Sequence, residues 1–278
     1  MRREWLAVTA VGSATFIVGW SAAAMAAPTA TYDWSGTYFG AALGLNSGSP
    51  TTFNYPHGSE DITFTDNTPY FPFETVSGQW PAFPSSMDAF GGGPAAYVGA
   101  NWQAGNNVYG WEGDLSFLGT GLTQNVGGYT GTDFRSGTFT TSGGLNALFT
   151  FRPRLGIAVD KLLLYGTGGL AVGQASLTTS AGIGQSGDAG KGSADWSGST
   201  TAWKTGYVLG GGGEYALNKR MSVRFEALYY NLGSISTTAA GSGSTGISPE
   251  TPATATSYTA TMPLAGTIAR VGLTFHLQ

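Results

Sequence analysis

The sequence predicts an all-β fold: an eight-stranded, antiparallel, up-and-down transmembrane β-barrel with short periplasmic turns and long extracellular loops. Three observations carry this. Eight segments alternate large apolar side chains with small or polar ones, residue by residue. The connections between them alternate short and long. Charged residues make up only 10% of the chain, against about 25% in an ordinary soluble domain.

The alternation is plainest in "VYGWEGDLSF", 108–117. Successive side chains of a strand point to opposite faces. Tyr109, Trp111, Leu115 and Phe117 then share one face, and Glu112 and Asp114 share the other. The pattern recurs. Phe39, Ala41, Leu43 and Leu45 fall on one face, and Val98, Ala100 and Trp102 oppose Tyr97, Gly99, Asn101 and Gln103. Leu145, Ala147, Phe149, Phe151, Leu155 and Ile157 oppose Asn146, Thr150, Arg152 and Arg154. Val223, Phe225, Ala227 and Tyr229 oppose Ser222, Arg224, Glu226 and Tyr230. Val271, Leu273, Phe275 and Leu277 oppose Arg270, Gly272, Thr274 and His276. Two Gly-rich segments, 161–173 and 204–217, complete the eight. A soluble sandwich does not need large aromatics on one face of nearly every strand. A barrel in lipid does.

Short connections are expected at Gly105-Asn106, around Asp160-Lys161 and at Asn218-Lys219-Arg220. Long ones are expected over 47–93, 119–144, 174–201 and 233–264. Short turns on one side and long loops on the other mark an outer-membrane barrel. Most long loops are Ser, Thr, Gly and Pro, a composition that stays hydrated. Residues 234–260 show no periodic apolar face and should be dispensable for folding. The first loop differs, with nine aromatics from Phe53 to Phe90, five acids and no Lys or Arg.

The N-terminus reads as a secretory signal over residues 1–26, leaving the barrel as 27–278. Arg2 and Arg3 precede an apolar run from Trp5 to Trp20, and Ala24-Met25-Ala26 forms a small-residue cleavage site. There is no cysteine, so neither a disulfide nor a lipid-anchor signal is available. The scattered basic residues form no stripe for nucleic acid.

"YDWSGTYFGAALGLNSG", "GANWQAGNNVYGWEGDLSF", "RPRLGIAVDKLLLYGTGGLAVG", "GGGGEYALNKRMSVRFEALYYNLG" and "ARVGLTF" resemble the small eight-stranded outer-membrane barrels of alphaproteobacteria. That group is related to porin-like surface antigens and haemin-binding outer-membrane proteins. The resemblance spans all the strands and misses the long loops. It implies an integral outer-membrane protein, often an abundant antigen, usually without enzyme activity. Its expected partners are outer-membrane lipid, the periplasmic chaperones and barrel-assembly machinery during biogenesis, and a host or surface ligand at the loops. Such barrels normally end on an aromatic residue read by that machinery; this sequence runs on from Phe275 through His276, Leu277 and Gln278.

Several chemistries can be weighed. The expected function is structural and surface-interactive, with no enzyme activity, cofactor or metal. His276 falls at the periplasmic end of the last strand, and His57 sits beside Ser59, Glu60 and Asp61 in a loop not preorganised for lipid-modifying catalysis. His57, Tyr55, Tyr70 and Met87 are the residue types that could ligate a haem, with aromatics packed over the barrel mouth as the simpler use of that loop. The spacing of Glu60, Asp61 and Asp66 lacks a full oxygen-ligand loop. The lumen should carry Glu112, Asp114, Glu214 and Glu226 against Arg152, Arg154, Arg224 and Arg270, with Lys204 also inward. Balanced charges in so tight an interior should pair with one another and close it to ions; the alternative is a narrow porin-like channel. Glu214 is expected opposite Arg224, and Glu112 and Asp114 beside Arg152 and Arg154.

Overall fold

The computed structural model describes residues 32–48, 59–64, 74–79, 90–119, 122–127, 130–131, 136–184, 193–244, 252–253 and 257–277. Eight long strands form the barrel: β1 (Gly36–Gly48), β2 (Phe90–Ala104), β3 (Asn107–Phe117), β4 (Ser136–Val159), β5 (Leu162–Gly184), β6 (Ser193–Asn218), β7 (Met221–Ser244) and β8 (Tyr258–Leu277). Each pairs antiparallel with the next, and β8 returns to pair with β1 from Thr37↔Leu277 to Gly48↔Gly266. The ring has no open edge through its lower half, which is how a sheet survives in hydrocarbon.

The short turns are two residues each: Gly105-Asn106, Asp160-Lys161 and Lys219-Arg220. Gly105 and Asp160 take positive φ, 61° and 51°. Glycine does so without steric cost, and Asp is among the few residues that tolerate it. A register shift between Ala216 and Asn218 adds one residue at the third turn. It sets Glu214 opposite Arg224.

The outward face is apolar, as the alternation predicts. Phe39, Val98, Trp102, Tyr109, Phe117, Phe149, Leu170 and Phe225 are all exposed. On β5 the apolar positions run from Leu162 to Val172. At about 3.3 Å per residue and a tilt near 40°, that is roughly 25 Å of height, the thickness of an outer-membrane apolar band.

Above that band the structure corrects two expectations. Residues 136–144, 174–184, 193–201, 234–244 and 258–264 are not loops; they continue β4 to β8. At 23, 26 and 24 residues, β5, β6 and β7 are more than twice the length needed to cross. Nor does 234–260 lack a buried face. A register shift between Asn231 and Ser234, with Gly233 at φ 80°, turns Ile235, Thr237 and Ala239 inward. Ile235 and Ala239 join Ala260 and Met262 in a buried cluster.

A second bulge, between Leu145 and Ala147, corrects the facing of β4. Leu145 is buried inside the barrel, and Asn146 is exposed. An inserted residue reverses the face of everything beyond it, so the expected assignment holds only from Ala147 downward.

Outside the ring, Leu122–Gly127 pairs with β4 and Pro252–Ala253 with β7. A separate small sheet joins Ser59–Phe64, Glu74–Gln79 and Thr130–Gly131.

Candidate functional site: the filled lumen

The interior is built in three layers. The middle one holds the charges. Glu112 and Asp114 project from β3, Arg152 and Arg154 from β4, Glu214 from β6, Arg224 and Glu226 from β7, and Arg270 from β8. All eight are buried. They face inward because each lies on the alternate position of its strand.

The carboxylates and guanidinium groups interlock across the barrel rather than along one strand pair. Arg152 Nη2 reaches both Glu112 and Asp114 at 2.7 Å, and Arg152 Nη1 lies 3.4 Å from Glu226. Arg224 Nη1 donates to Glu112 at 2.6 Å. Arg154 Nη2 donates to Glu214 at 2.7 Å. Arg270 Nε donates to Glu226 at 2.7 Å and Nη2 to Asp114 at 3.2 Å. Arg270 Nη2 also pairs with Glu226. β3 and β7 stand four places apart in the ring of eight, so Glu112–Arg224 spans its diameter.

The closest partners are not all those expected from strand adjacency. Glu214 and Arg224 do face each other, but at 3.4 Å. Arg154 is nearer to Glu214 and Glu112 is nearer to Arg224. A turn fixes which backbones are opposite. It does not fix where a guanidinium on a long stem ends, and in a narrow barrel that stem reaches the far wall.

Hydroxyls occupy the remaining lone pairs. Thr150 donates to Asp114 at 2.6 Å and Ser116 at 3.1 Å. Tyr38 donates to Glu112 at 2.9 Å, and Tyr165 to Glu226 at 2.9 Å. Among the described residues, the Nε groups of Arg152, Arg154 and Arg224 have no hydrogen-bond acceptor. For two of them aromatic faces stand close instead: Arg154 lies 3.8 Å from the Tyr165 ring centre and Arg224 4.1 Å from that of Tyr97. Desolvated cation–π contacts of this kind are worth about 2 kcal/mol. The tyrosines fit because a neighbouring strand offers glycine. A Cβ on Gly99 would overlap the Tyr38 ring, and one on Gly212 the Tyr165 hydroxyl.

The lower layer closes the periplasmic end. Tyr32, Trp34, Val108, Ala158, Leu163, Tyr165 and Ala216 form one buried cluster. Trp34 has no exposed surface. Its backbone N–H donates to Gln103 Oε1 at 2.7 Å, and the Tyr32 hydroxyl donates to the carbonyl of Lys219 at 3.1 Å. Burial pushes the Tyr32 phenol up from its ordinary pKa, and the Glu214 carboxylate adds to the shift. The Trp34 ring meets His276 edge-on at 5.6 Å. His276 points into the barrel as expected; its Nε2 lies 3.0 Å from Ser222 Oγ and 3.3 Å from Glu214 Oε1. Sequence reasoning missed this floor. The signal was present: Tyr32 and Trp34 continue the inward alternation of Tyr38 below the start of β1.

The upper layer is mainly apolar. Leu145, Leu148, Leu177, Val208, Leu228, Ile235, Met262 and Ile268 pack inside the barrel above the charges. Asn46, Thr141, Thr179 and Thr237 are buried among them, so inward polar positions thin out above the charges without ending there. Lys204 stands on an inward position of β6, half-buried. His57, Tyr55, Tyr70, Met87 and the segment 1–26 lie outside the described residues, as do the side chains of Glu60, Asp61 and Asp66. Among the described residues no cluster of His, Asp and Glu is arranged to hold a metal.

A closed eight-stranded ring, apolar outside and filled inside, defines an outer-membrane β-barrel. The chain belongs to the family of outer membrane proteins with the β-barrel domain, whose family model matches residues 14–248. It is 34% identical over 229 residues to the 31 kDa outer-membrane immunogenic protein of Brucella melitensis, covering 81% of this chain and 82% of that one. The protein of the same name from Brucella suis matches with the same figures. The 22 kDa outer membrane protein of Rhizobium leguminosarum is 30% identical over 147 residues, or 53% of this chain and 56% of that one. Among solved structures, Ail, the attachment invasion locus protein of Yersinia pestis, aligns with TM-score 0.30 and 10% identity, covering 85% of this chain and 99% of that one. At that score it adds nothing to the strand pairing.

Proposed function

We propose that this protein is a non-catalytic outer-membrane barrel, closed to ions, whose role is structural and surface-interactive. One observation carries the reading: four arginines and four carboxylates neutralise one another in the middle of the lumen. A conducting pore of this width would need water along that path, and the paired charges and apolar packing leave each other as neighbours instead. The names of the Brucella and Rhizobium relatives give an outer-membrane location, and that of the Brucella proteins immunogenicity, which accords with a surface role. The long hairpins above the lipid band supply the surface. During biogenesis, the outward aromatic face is what periplasmic chaperones and the assembly machinery would handle.

The test is single-channel recording on the refolded full chain in planar bilayers. The expected record shows no steady conductance step in the unmodified protein. A stable, large step would overturn the closed lumen and establish the narrow channel.

A further inference from the structure

Three polar groups are buried between the charged layer and the floor with no hydrogen-bond partner among the described residues: the indole Nε1 of Trp34, the side-chain amide of Asn101 and the Nε of Arg154. Trp34 is fully buried, and Asn101 and Arg154 nearly so. The ladder brings the last two to one level. Asn101 of β2 pairs with Gly110 of β3, and Gly110 pairs with Arg154 of β4. The two residues therefore stand two strand spacings apart, roughly 10 Å at the backbone, with only a glycine between them. Asn101 Oδ1 leans into that opening: a Cβ on Gly110 would run into the Ala100 carbonyl oxygen and stand 2.6 Å from Asn101 Oδ1. Trp34 approaches from below. Its backbone N–H donates to Gln103, the next inward residue of β2 beneath Asn101. Stacking on Tyr165 covers the face of the Arg154 guanidinium. The Nε–H lies in the plane of that group and needs an acceptor of its own.

We propose that the opening over Gly110 is a binding site for one structural water, which accepts from Trp34 Nε1 and Arg154 Nε and donates to Asn101 Oδ1. The chemistry of the three groups selects that occupant. Indole and guanidinium nitrogens only donate, whereas an amide oxygen only accepts. The ligand must therefore do both. A cation accepts no hydrogen bond and would stand against the charge of Arg154. A halide accepts from Trp34 and Arg154 but has no hydrogen for Asn101. It also adds a charge beside a layer in which four buried arginines already meet four buried carboxylates. An apolar chain satisfies none of the three. Water makes all three bonds, the usual number for a buried water molecule. Bound there, it joins the charged layer to the floor through one hydrogen-bonded chain, from Arg154 to the Trp34 indole. A single water enclosed on every side is no path for ions, so the site stands apart from the question of conductance.

The test is a crystal structure of the refolded full chain, grown once in chloride and once in bromide, at a resolution that shows ordered water. The expected map holds one water peak within hydrogen-bond distance, about 2.7–3.2 Å, of Trp34 Nε1, Asn101 Oδ1 and Arg154 Nε, with no anomalous bromide signal there. No peak within reach of all three atoms overturns the proposal. A bromide signal puts an anion in place of the water and overturns it too. A solution readout follows the same site. In protein with isotope-labelled tryptophan, the Trp34 indole N–H, identified by its loss in Trp34→Phe, should show NMR cross-relaxation with a long-lived water. Asn101→Leu, which removes the acceptor and fills the opening, should abolish that signal while heat-modifiable gel mobility is kept. A signal unchanged in Asn101→Leu overturns the proposal. If that variant does not fold, absence of the signal from the unmodified protein does so by itself.

Discussion

Gly212 of β6 and Tyr165 of β5 share one volume: a Cβ on Gly212 would run into the Phe225 carbonyl oxygen of β7 and stand 2.6 Å from the Tyr165 hydroxyl. That hydroxyl donates to Glu226, and the ring lies against Arg154. Gly212→Ala should therefore press on the β7 backbone at Phe225, move Tyr165 and loosen two of the eight charges, costing about 1–3 kcal/mol; Tyr165→Phe, which keeps the ring and removes only the hydroxyl, reads the Tyr165 share by itself. Gly213→Ala is the control, since its outward Cβ would meet only Leu164 at 3.4 Å. Urea unfolding of both variants in bilayers checks this. Equal midpoints would remove Tyr165 from the support of the network.

Arg224 gives the second prediction. Removing one partner of a buried pair leaves an orphaned charge, at about 3–5 kcal/mol. Arg224→Ala should show that loss, while Arg220→Ala on the exposed third turn should change stability by under about 0.5 kcal/mol. The geometry also ranks the couplings. Glu112 lies 2.6 Å from Arg224 and Glu214 3.4 Å. In double-mutant cycles Glu112→Ala should recover more of the Arg224→Ala loss than Glu214→Ala does. Strictly additive losses for Glu112 and Arg224 would refute the cross-barrel pairing.

Trp34 is the third. A large aromatic cut to alanine in a packed site costs about 3–5 kcal/mol. Trp34→Ala should approach that figure, and the segment around Tyr32 should become cleavable by protease from the turn side. Trp102→Ala, on the lipid face, should leave the segment protected. Protection unchanged in both would mean that Trp34 does not hold the floor.

The hairpins supply the fourth. Shortening β7–β8 within 245–256 should leave the folded barrel and its heat-modifiable mobility intact, since loop length weakly affects closure. Deleting 234–260 should not, because Ile235, Ala239 and Ala260 leave the upper cluster with them. Equal folding yields for the two deletions would show that the upper layer contributes nothing to assembly.

The barrel was legible in the sequence because lipid enforces a strict rule: every outward side chain at membrane depth must be apolar. Phe149, Phe225 and Val271 therefore announced their strands. Legibility ended where that rule lapses. Above the band, Ser-Thr-rich strands look like loops, since water accepts either. The bulges near Asn146 and Gly233 erased the alternation because a single inserted residue reverses all later positions. Among the charges, identity was readable from alternation, but partners such as Glu112 and Arg224 were not. They belong to strands on opposite sides of the ring, and no local pattern records a diameter. Trp34 was passed over because it precedes the first paired residue.

The diametric pair has a mechanical side. A thin tube of hydrogen-bonded strands resists stretching along its ladders but flattens easily into an oval. Glu112–Arg224 and Asp114–Arg270 cross that tube like the spokes of a wheel, and Glu226 and Arg152 tie their hubs together. Flattening in one direction must lengthen a spoke in another, pulling apart opposite charges in a medium with little water to replace them. The barrel is thus braced against the sideways squeeze of a crowded membrane from within, at mid-height, where the sheet has least help from the loops above or the aromatic floor below.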